Sequence, residues 1–319
     1  MLRLSRRAAL AAAAAAWALP ADAQDFPARP LRLMVPFPPG GGTDVLARVM
    51  AARFGEWLGQ SVVVENRGGA GGAIGTLAVA RAPGDAHLLL FTSNPPIVVL
   101  PASSQPPGYD PERELTPIAT LARQAILFVV RTESPHRDLA SLLRAAGGQG
   151  LSYGSPGVGT DPHLAAEVLR QASGAQFVHV PYRGGGPAMT AVLSGEVEFN
   201  PALTGVAKPL IAQGRLRALA VTSPQRLADF PDVPTTAELG MPEVDLVPWW
   251  ALFGPPGLPS AAVQRLSAEA RRLSQDPEWL RRLESLAIEP FYLDGAATGA
   301  AITAQLAGWR QRLPNIPLS

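Results

Sequence analysis

Short apolar runs and longer amphipathic stretches alternate along most of this 319-residue chain. Residues 31–37 read as a buried strand. Residues 45–58 then place Leu46, Val49, Met50, Phe54, Trp57 and Leu58 at helical spacing. Residues 61–65 read as a β-branched strand, 66–72 as a turn, 73–81 as a helix and 87–93 as a strand. That order predicts an α/β fold with a mostly parallel sheet between layers of helices.

The apolar stretch 118–131 is interrupted only by Arg123 and Gln124 and reads as a strand passing from one domain into another. Beyond it the pattern predicts a helix at 139–146 and a strand at 151–155. Asp161 and Pro162 are expected as N-cap and first residue of a helix at 162–172. A strand at 177–181, a helix at 187–193, a strand at 196–199, a helix at 208–213 and a strand at 216–222 follow. Residues 223–247, rich in Pro, Asp and Glu, read as a surface crossing, and 252–254 as the last core strand. Three helices, at 260–273, 277–286 and 300–313, complete the pattern. The expected division is residues 24–122 and 225–319 in one lobe and 123–224 in the other. Two crossings make a hinge, and a hinge between two lobes makes a cleft of the kind ligands favour.

Two glycine-rich loops lie between a strand and a helix. The first is Pro36-Phe37-Pro38-Pro39-Gly40-Gly41-Gly42-Thr43-Asp44, and the second Tyr153-Gly154-Ser155-Pro156-Gly157-Val158-Gly159-Thr160-Asp161. Glycines let backbone approach a ligand closely, and a helix start offers free N–H groups with about half a positive charge. Together they can grip one small anion, which points to capture of a carboxylate rather than its transformation. The candidate contacts are Phe37, Gly41, Gly42, Thr43 and Asp44 in the first loop, and Ser155, Gly157, Gly159, Thr160 and His163 in or just after the second. Ser93 and Asn94, which end a strand, are further candidates, with a plain turn as the other reading. Tyr182 opens a third glycine-rich join, 182–187. Trp249 and Trp250 are either a cleft wall or a core pair.

Other chemistries fit less well. The first loop lacks the Gly-Lys-Ser/Thr of a nucleotide-binding P-loop. Tyr153 fills the first glycine position of a nucleophile elbow. Residues 69–75 resemble a dinucleotide fingerprint but carry one residue too many, and Ser93 and Asn94 stand where its acidic residue is expected. A close-packed helix start is the better reading there. His87, His136, His163 and His179 have no metal-ligand spacing, so neither metal nor cofactor is expected. A secreted hydrolase using Ser155 and His163 is the alternative enzyme, without a base and orienter at credible spacing.

Residues 1–23 read as a signal peptide: Arg3, Arg6 and Arg7, an apolar run at 8–19, and Ala21-Asp22-Ala23 before Gln24. Ser5-Arg6-Arg7 with Leu10 also fits a twin-arginine leader, so either export route is open. Removing this segment lowers the basic count from 27 to 24 and the acidic count from 26 to 25, taking the net charge from +1 to −1. Such a balance does not suit nucleic acid or an anionic membrane. Cysteine is absent, so the exported chain stands on its core without disulfides.

The chain resembles the Bug family of extracytoplasmic solute receptors, the binding component of tripartite tricarboxylate transporters, from about Phe26 to the C-terminus. The resemblance is carried by Arg29-Pro30-Leu31-Arg32 leading into Val35–Asp44, by Val63-Val64-Glu65-Asn66-Arg67 with Gly68–Gly75, and by Leu151-Ser152-Tyr153-Gly154-Ser155. It continues in His179-Val180-Pro181-Tyr182-Arg183-Gly184, Leu216–Thr222 and Pro231-Asp232-Val233-Pro234-Thr235. It implies a two-lobed type II periplasmic-binding fold that closes on its ligand, and a ligand carboxylate held by backbone and hydroxyl groups of the two loops, partly through water. It also implies periplasmic location and delivery to a membrane permease with large and small subunits. A monomer is expected. Presentation of ligand to a sensor is the other role this architecture allows. One departure stands out. Glu198 takes a position where such proteins usually place Asp, and Pro201-Ala202-Leu203 replaces a later Phe-Asp-Asn. A more apolar distal pocket is expected, suited to an aromatic or aliphatic monocarboxylate better than to citrate.

Overall fold

A computed structural model describes residues 26–148 and 150–316. The signal-peptide reading of residues 1–23 lies outside them. In chain order the elements are β1 (Leu31–Val35), α1 (Gly42–Leu58), β2 (Val62–Asn66), α2 (Ala73–Ala80), β3 (Leu88–Ser93), α3 (Pro111–Glu114), β4 (Thr116–Arg123), β5 (Ile126–Arg131), α4 (Leu139–Ala146) and β6 (Leu151–Ser155). They continue as α5 (Asp161–Ser173), β7 (Phe177–Pro181), α6 (Gly185–Ser194), β8 (Asn200–Leu203), α7 (Thr204–Ala212), β9 (Leu216–Val221), β10 (Trp249–Gly254), α8 (Ser260–Leu273), α9 (Pro277–Ser285), β11 (Glu289–Asp294) and α10 (Gly295–Arg312).

The result is an α/β structure of two lobes. One holds a six-stranded sheet in the order β11-β4-β10-β3-β1-β2. The other holds a three-stranded sheet, β8-β5-β9, and a parallel pair, β6-β7. Pairing is mixed rather than mostly parallel. β1 runs parallel to β2 and β3, but β10 is antiparallel to β3 and β4, and β11 to β4. The antiparallel pairs arise because the chain leaves at the end of β4 and re-enters through β10 at that same end, Trp249 lying opposite Arg123. β11 adds a strand after 252–254, the stretch expected to be the last. It was hidden because Pro290 lies within it and its pairing with β4 slips between Pro290 and Leu293; proline is confined to edges such as this one.

Side-chain alternation explains the layers. Leu31, Leu33 and Val35 of β1, with Leu89 and Phe91 of β3, face Leu46, Met50 and Phe54 of α1, Leu266 of α8 and Trp279 of α9. Met34, Leu88 and Leu90 face the other way, toward Val79 of α2 and Ile302 and Leu306 of α10. This second cluster continues into the other lobe through Phe128, Leu142, Leu164 and Val168.

The 118–131 stretch is two strands, β4 and β5, broken at Gln124-Ala125. There Gln124 N–H bonds Pro248 O at 2.7 Å, and the Gln124 side chain donates to the carbonyls of Leu286 and Ala287 at 3.3 and 3.1 Å. Thr204 Oγ1, at the start of α7, donates to Ala287 O at 2.9 Å. A Cβ on Gly205 would lie 2.2 Å from Leu286 O, so only glycine allows this approach. The two lobes therefore touch closely beside the crossings.

Candidate functional site

β1 ends at Val35 because Pro36, Pro38 and Pro39 have no N–H to offer a ladder. The helix after the loop begins at Gly42, three residues before the expected Val45, with Gly41 rather than Thr43 or Asp44 as N-cap. The reason lies in Asp44. As the third helical residue it reaches back to accept from Gly40 N–H at 2.9 Å. It also accepts from Arg48 at 3.0 and 2.9 Å and from Asn66 Nδ2 at 2.9 Å. Burial alone would raise the Asp44 carboxyl, but these hydrogen bonds and the Arg48 charge outweigh it and hold the group below the usual range. Asp44 is thus buried and committed to the loop's own framework. Thr43 is buried too, its hydroxyl accepting from Trp250 Nε1 at 2.9 Å.

The loop's open part is its backbone. A Cβ on Gly40 or Gly42 would meet nothing within 4 Å, and one on Gly41 only Pro38 O at 3.7 Å. The first-turn amides of Gly42, Thr43 and Asp44 have no intrahelical acceptor, and no side chain caps the helix. Phe37 is half-buried, and its ring lies against Gly72, 3.4 Å from where that residue's Cβ would be. Asn66 Nδ2 also fixes Phe37 O at 3.1 Å. At the 69–75 turn, a Cβ on Gly75 would lie 2.7 Å from Arg67 O and 2.8 Å from Pro36 Cβ. Gly75 is therefore the close-packing glycine of a helix start, as the sequence suggested.

The second loop has more internal bonding. Ser155 is wholly buried, and its hydroxyl pairs with His179 Nε2 at 2.7 Å. Gly157 N–H donates to Ser155 Oγ at 3.2 Å, and Thr160 Oγ1 donates to Gly157 O at 2.7 Å. Gly159 N–H donates to His163 Nδ1 at 3.1 Å. These bonds turn Ser155 and His163 inward. The hydrolase reading fails on this point: the partner of Ser155 is His179, and neither Ser155 nor His163 is open to a substrate. His179 lies between Tyr153 and His163, its ring 4.9 Å from the first and 4.2 Å from the second, and Tyr153 OH donates to Glu167 at 2.8 Å. Burial, and then the neighbouring His179, lower His163 to about 4, with Glu167 opposing. Burial also lowers His179.

α5 begins one residue earlier than expected, with Thr160 as N-cap, Asp161 first and Pro162 second, and without a side-chain cap. Gly157 and Gly159 take left-handed φ of 139° and 75°. A Cβ on Gly159 would meet nothing within 4 Å. Pro156 O accepts from Gly184 N–H at 3.2 Å, which brings the start of α6 beside the loop. Tyr182 contributes its backbone, N–H to Ser155 O at 2.9 Å, while its hydroxyl turns to Glu196 at 2.7 Å.

The lobes meet directly between the loops. Asn94, at the end of β3 and buried, donates through Nδ2 to Asp161 Oδ1 at 2.7 Å. Burial pushes the Asp161 carboxyl up to about 6, the Asn94 bond opposing. Ser93 is buried and pairs with Trp250 across the sheet. The tryptophans split between faces. Trp250 packs in the core below Thr43, and Trp249 donates to Gln305 on the opposite face at 3.0 Å.

Glu198 is a correction. It is exposed and accepts from the N–H and hydroxyl of Ser152, near the start of β6. Ser155, where the loop begins, is three residues further along, about 10 Å at strand rise. Glu198 therefore does not join the loop contacts. Pro201 and Ala202 are buried inside β8 and only Leu203 is half-buried, so the departure at 201–203 changes the lobe's interior more than any crevice wall. Asn66 and His179, which fix the loops, were not among the candidate contacts, and Trp250 was weighed only as a cleft wall or a core residue. Asn66 had a signal: it ends β2 in register with Val35, the last residue of β1. Among the described residues no group of three or more His, Cys, Asp or Glu could hold a metal ion.

A family model described as "Tripartite tricarboxylate transporter family receptor" matches residues 46–317. Protein BugT of Bordetella pertussis is 34% identical over 313 residues, covering 97% of this chain and 93% of BugT. The solved structure of Rpa4515 from R. palustris with adipate is similar at TM-score 0.79 and 30% identity, covering 92% of this chain and 98% of that one. MatC from Rhodopseudomonas palustris with bound malate is similar at TM-score 0.76 and 27% identity, covering 90% of this chain and 100% of that one. The chain belongs to the tripartite tricarboxylate transporter receptor family.

Proposed function

We infer that this chain is a periplasmic solute-binding receptor without catalysis. It takes up a small carboxylate between its lobes and hands it to a tripartite tricarboxylate-type permease. The carboxylate would lie against the open amides of Gly41–Thr43 on one side and the Gly157–Thr160 loop on the other, with Phe37 over its body. The crossings expected near residues 122 and 225 would serve as the hinge. The observation that carries this reading is the 2.7 Å bond from Asn94 to Asp161, which joins the end of β3 in one lobe to the start of α5 in the other. It supports a crevice flanked by the uncapped starts of α1 and α5, and such starts favour anions. Adipate and malate in the two similar solved structures agree with a carboxylate.

Asp44 acts here as scaffold, with Asn66 and Arg48, rather than as a ligand contact. The more apolar ligand body expected from residues 201–203 stays part of the proposal, now resting on Leu203 and Phe37. Isothermal titration of residues 24–319 with adipate, malate, benzoate and citrate tests both levels. Saturable binding of at least one carboxylate is expected, with citrate the weakest. No binding to any would defeat the receptor reading, and citrate binding most tightly would defeat the apolar-body reading.

A further inference from the structure

A cavity adjoins the Asn94–Asp161 contact, with Asn94 in its lining. It has a volume of about 420 Å³, between α10, the crossing before β10, and the ends of β4 and β11. No residue of the two glycine loops lines it. Its size is in the range of small-molecule sites. Trp249, Trp309 and Phe291 give it aromatic walls, among aliphatic and polar side chains.

Its charges are specific. The Arg123 guanidinium lies 4.5 Å from the Phe291 ring centroid, and its Nε donates to Glu289 at 3.0 Å. Among the described residues its two terminal nitrogens have no protein partner. Stacking on a ring leaves the in-plane N–H bonds of a guanidinium free, and those bonds match the two oxygens of a carboxylate. Across the cavity Arg312 pairs with Asp245 at 2.9 Å. Both arginines thus already have one carboxylate each, so an added monoanion leaves a modest net charge while a dianion or trianion leaves a large one. Flat apolar walls beside a half-used arginine fork select a small aromatic monocarboxylate over a phosphate or a tricarboxylate.

We propose that this cavity is a second binding site, separate from the crevice between the glycine loops, for small aromatic monocarboxylates held by Arg123 and the Trp249–Trp309–Phe291 walls. Neither the site nor its ligand class depends on what the loop crevice binds.

The test is crystallographic and calorimetric, with 4-bromobenzoate as probe. In wild-type crystals soaked with it, bromine anomalous density is expected within the α10 cavity, with the carboxylate on Arg123. In solution, Arg123→Gln should weaken binding at least tenfold. Ala301→Trp, which fills the cavity from α10, should abolish it without altering adipate binding. Bromine only between the glycine loops, or at no ordered position at saturating probe, overturns the proposal. So does an unchanged affinity in a folded Arg123→Gln protein. If Ala301→Trp does not fold, the wild-type soak and Arg123→Gln decide alone. Failure of adipate to bind would count against the loop crevice and leave the bromine position to be read by itself.

Discussion

Asp161 and His163 sit two residues apart at the start of α5 and pull stability in opposite directions as pH changes. Asp161 is raised to about 6, so between pH 4 and 6 the folded chain holds a proton that the unfolded chain has released, and stability falls as pH rises through that window. His163 is lowered to about 4, so over much the same window the unfolded chain binds the extra proton and stability falls as pH drops. Each shift is worth on the order of 2–3 kcal/mol at full extent. The two therefore largely offset each other in the wild type. Asp161→Asn removes one side, so the variant should be more stable than wild type at pH 7.5 and lose that advantage by pH 4.5. Thermal unfolding across pH measures this; parallel curves for the two proteins would refute it. These pairings were not legible in the chain. Thr43, Ser155 and His163 stood out as polar residues beside glycines, but their partners Trp250 and His179 come from distant strands. A candidate ligand contact and a scaffold residue look alike until the partner is known.

The first loop separates two kinds of glycine. Gly42 faces open space, whereas Gly75 has Arg67 O and Pro36 where a Cβ would go. Gly42→Val should leave the melting temperature nearly unchanged, as surface substitutions do, yet weaken carboxylate binding at least tenfold by covering the amides. Gly75→Ala should cost about 1–3 kcal/mol through overpacking. Melting curves and titration of both variants check this; a stable Gly75→Ala, or a Gly42→Val that binds normally, would contradict it. Most helices were legible from periodicity, and α4 matches its expected bounds, with Asp138 and Ser141 forming a capping box. Starts were displaced where a side chain reached backwards, as Asp44 does to Gly40. β11 and the antiparallel pairing were not legible, because a chain that returns to a sheet from outside leaves no local mark of its direction.

At the scale of the whole molecule the lobes share an apolar cluster and several polar contacts, among them Gln171 Nε2 to Arg312 O at 3.4 Å. Asn94 meets Asp161 at the crevice, and Thr204, Gly205 and Gln124 meet residues 286–287 beside the crossings. In the proposed closure the contact beside the crossings would serve as the pivot. Gly205→Ala puts a methyl group 2.2 Å from Leu286 O, so it should lower the melting temperature by several degrees, at about 1–3 kcal/mol. An unchanged melting curve would mean that the two segments are not held together in solution. The departure and return of the chain were expected from breaks in hydropathy near 124 and across 223–247. The contact at the proposed pivot was not, since nothing near Gly205 in sequence announces Leu286.

Helix starts from opposite lobes are proposed to hold one carboxylate. A crystal structure of residues 24–319 with adipate tests it most directly. One adipate carboxylate should lie within hydrogen-bond reach, direct or through one water, of the amides at Gly41–Thr43 and of the Gly157–Thr160 loop together. A carboxylate touching only one of these segments, or bound away from both, would contradict it.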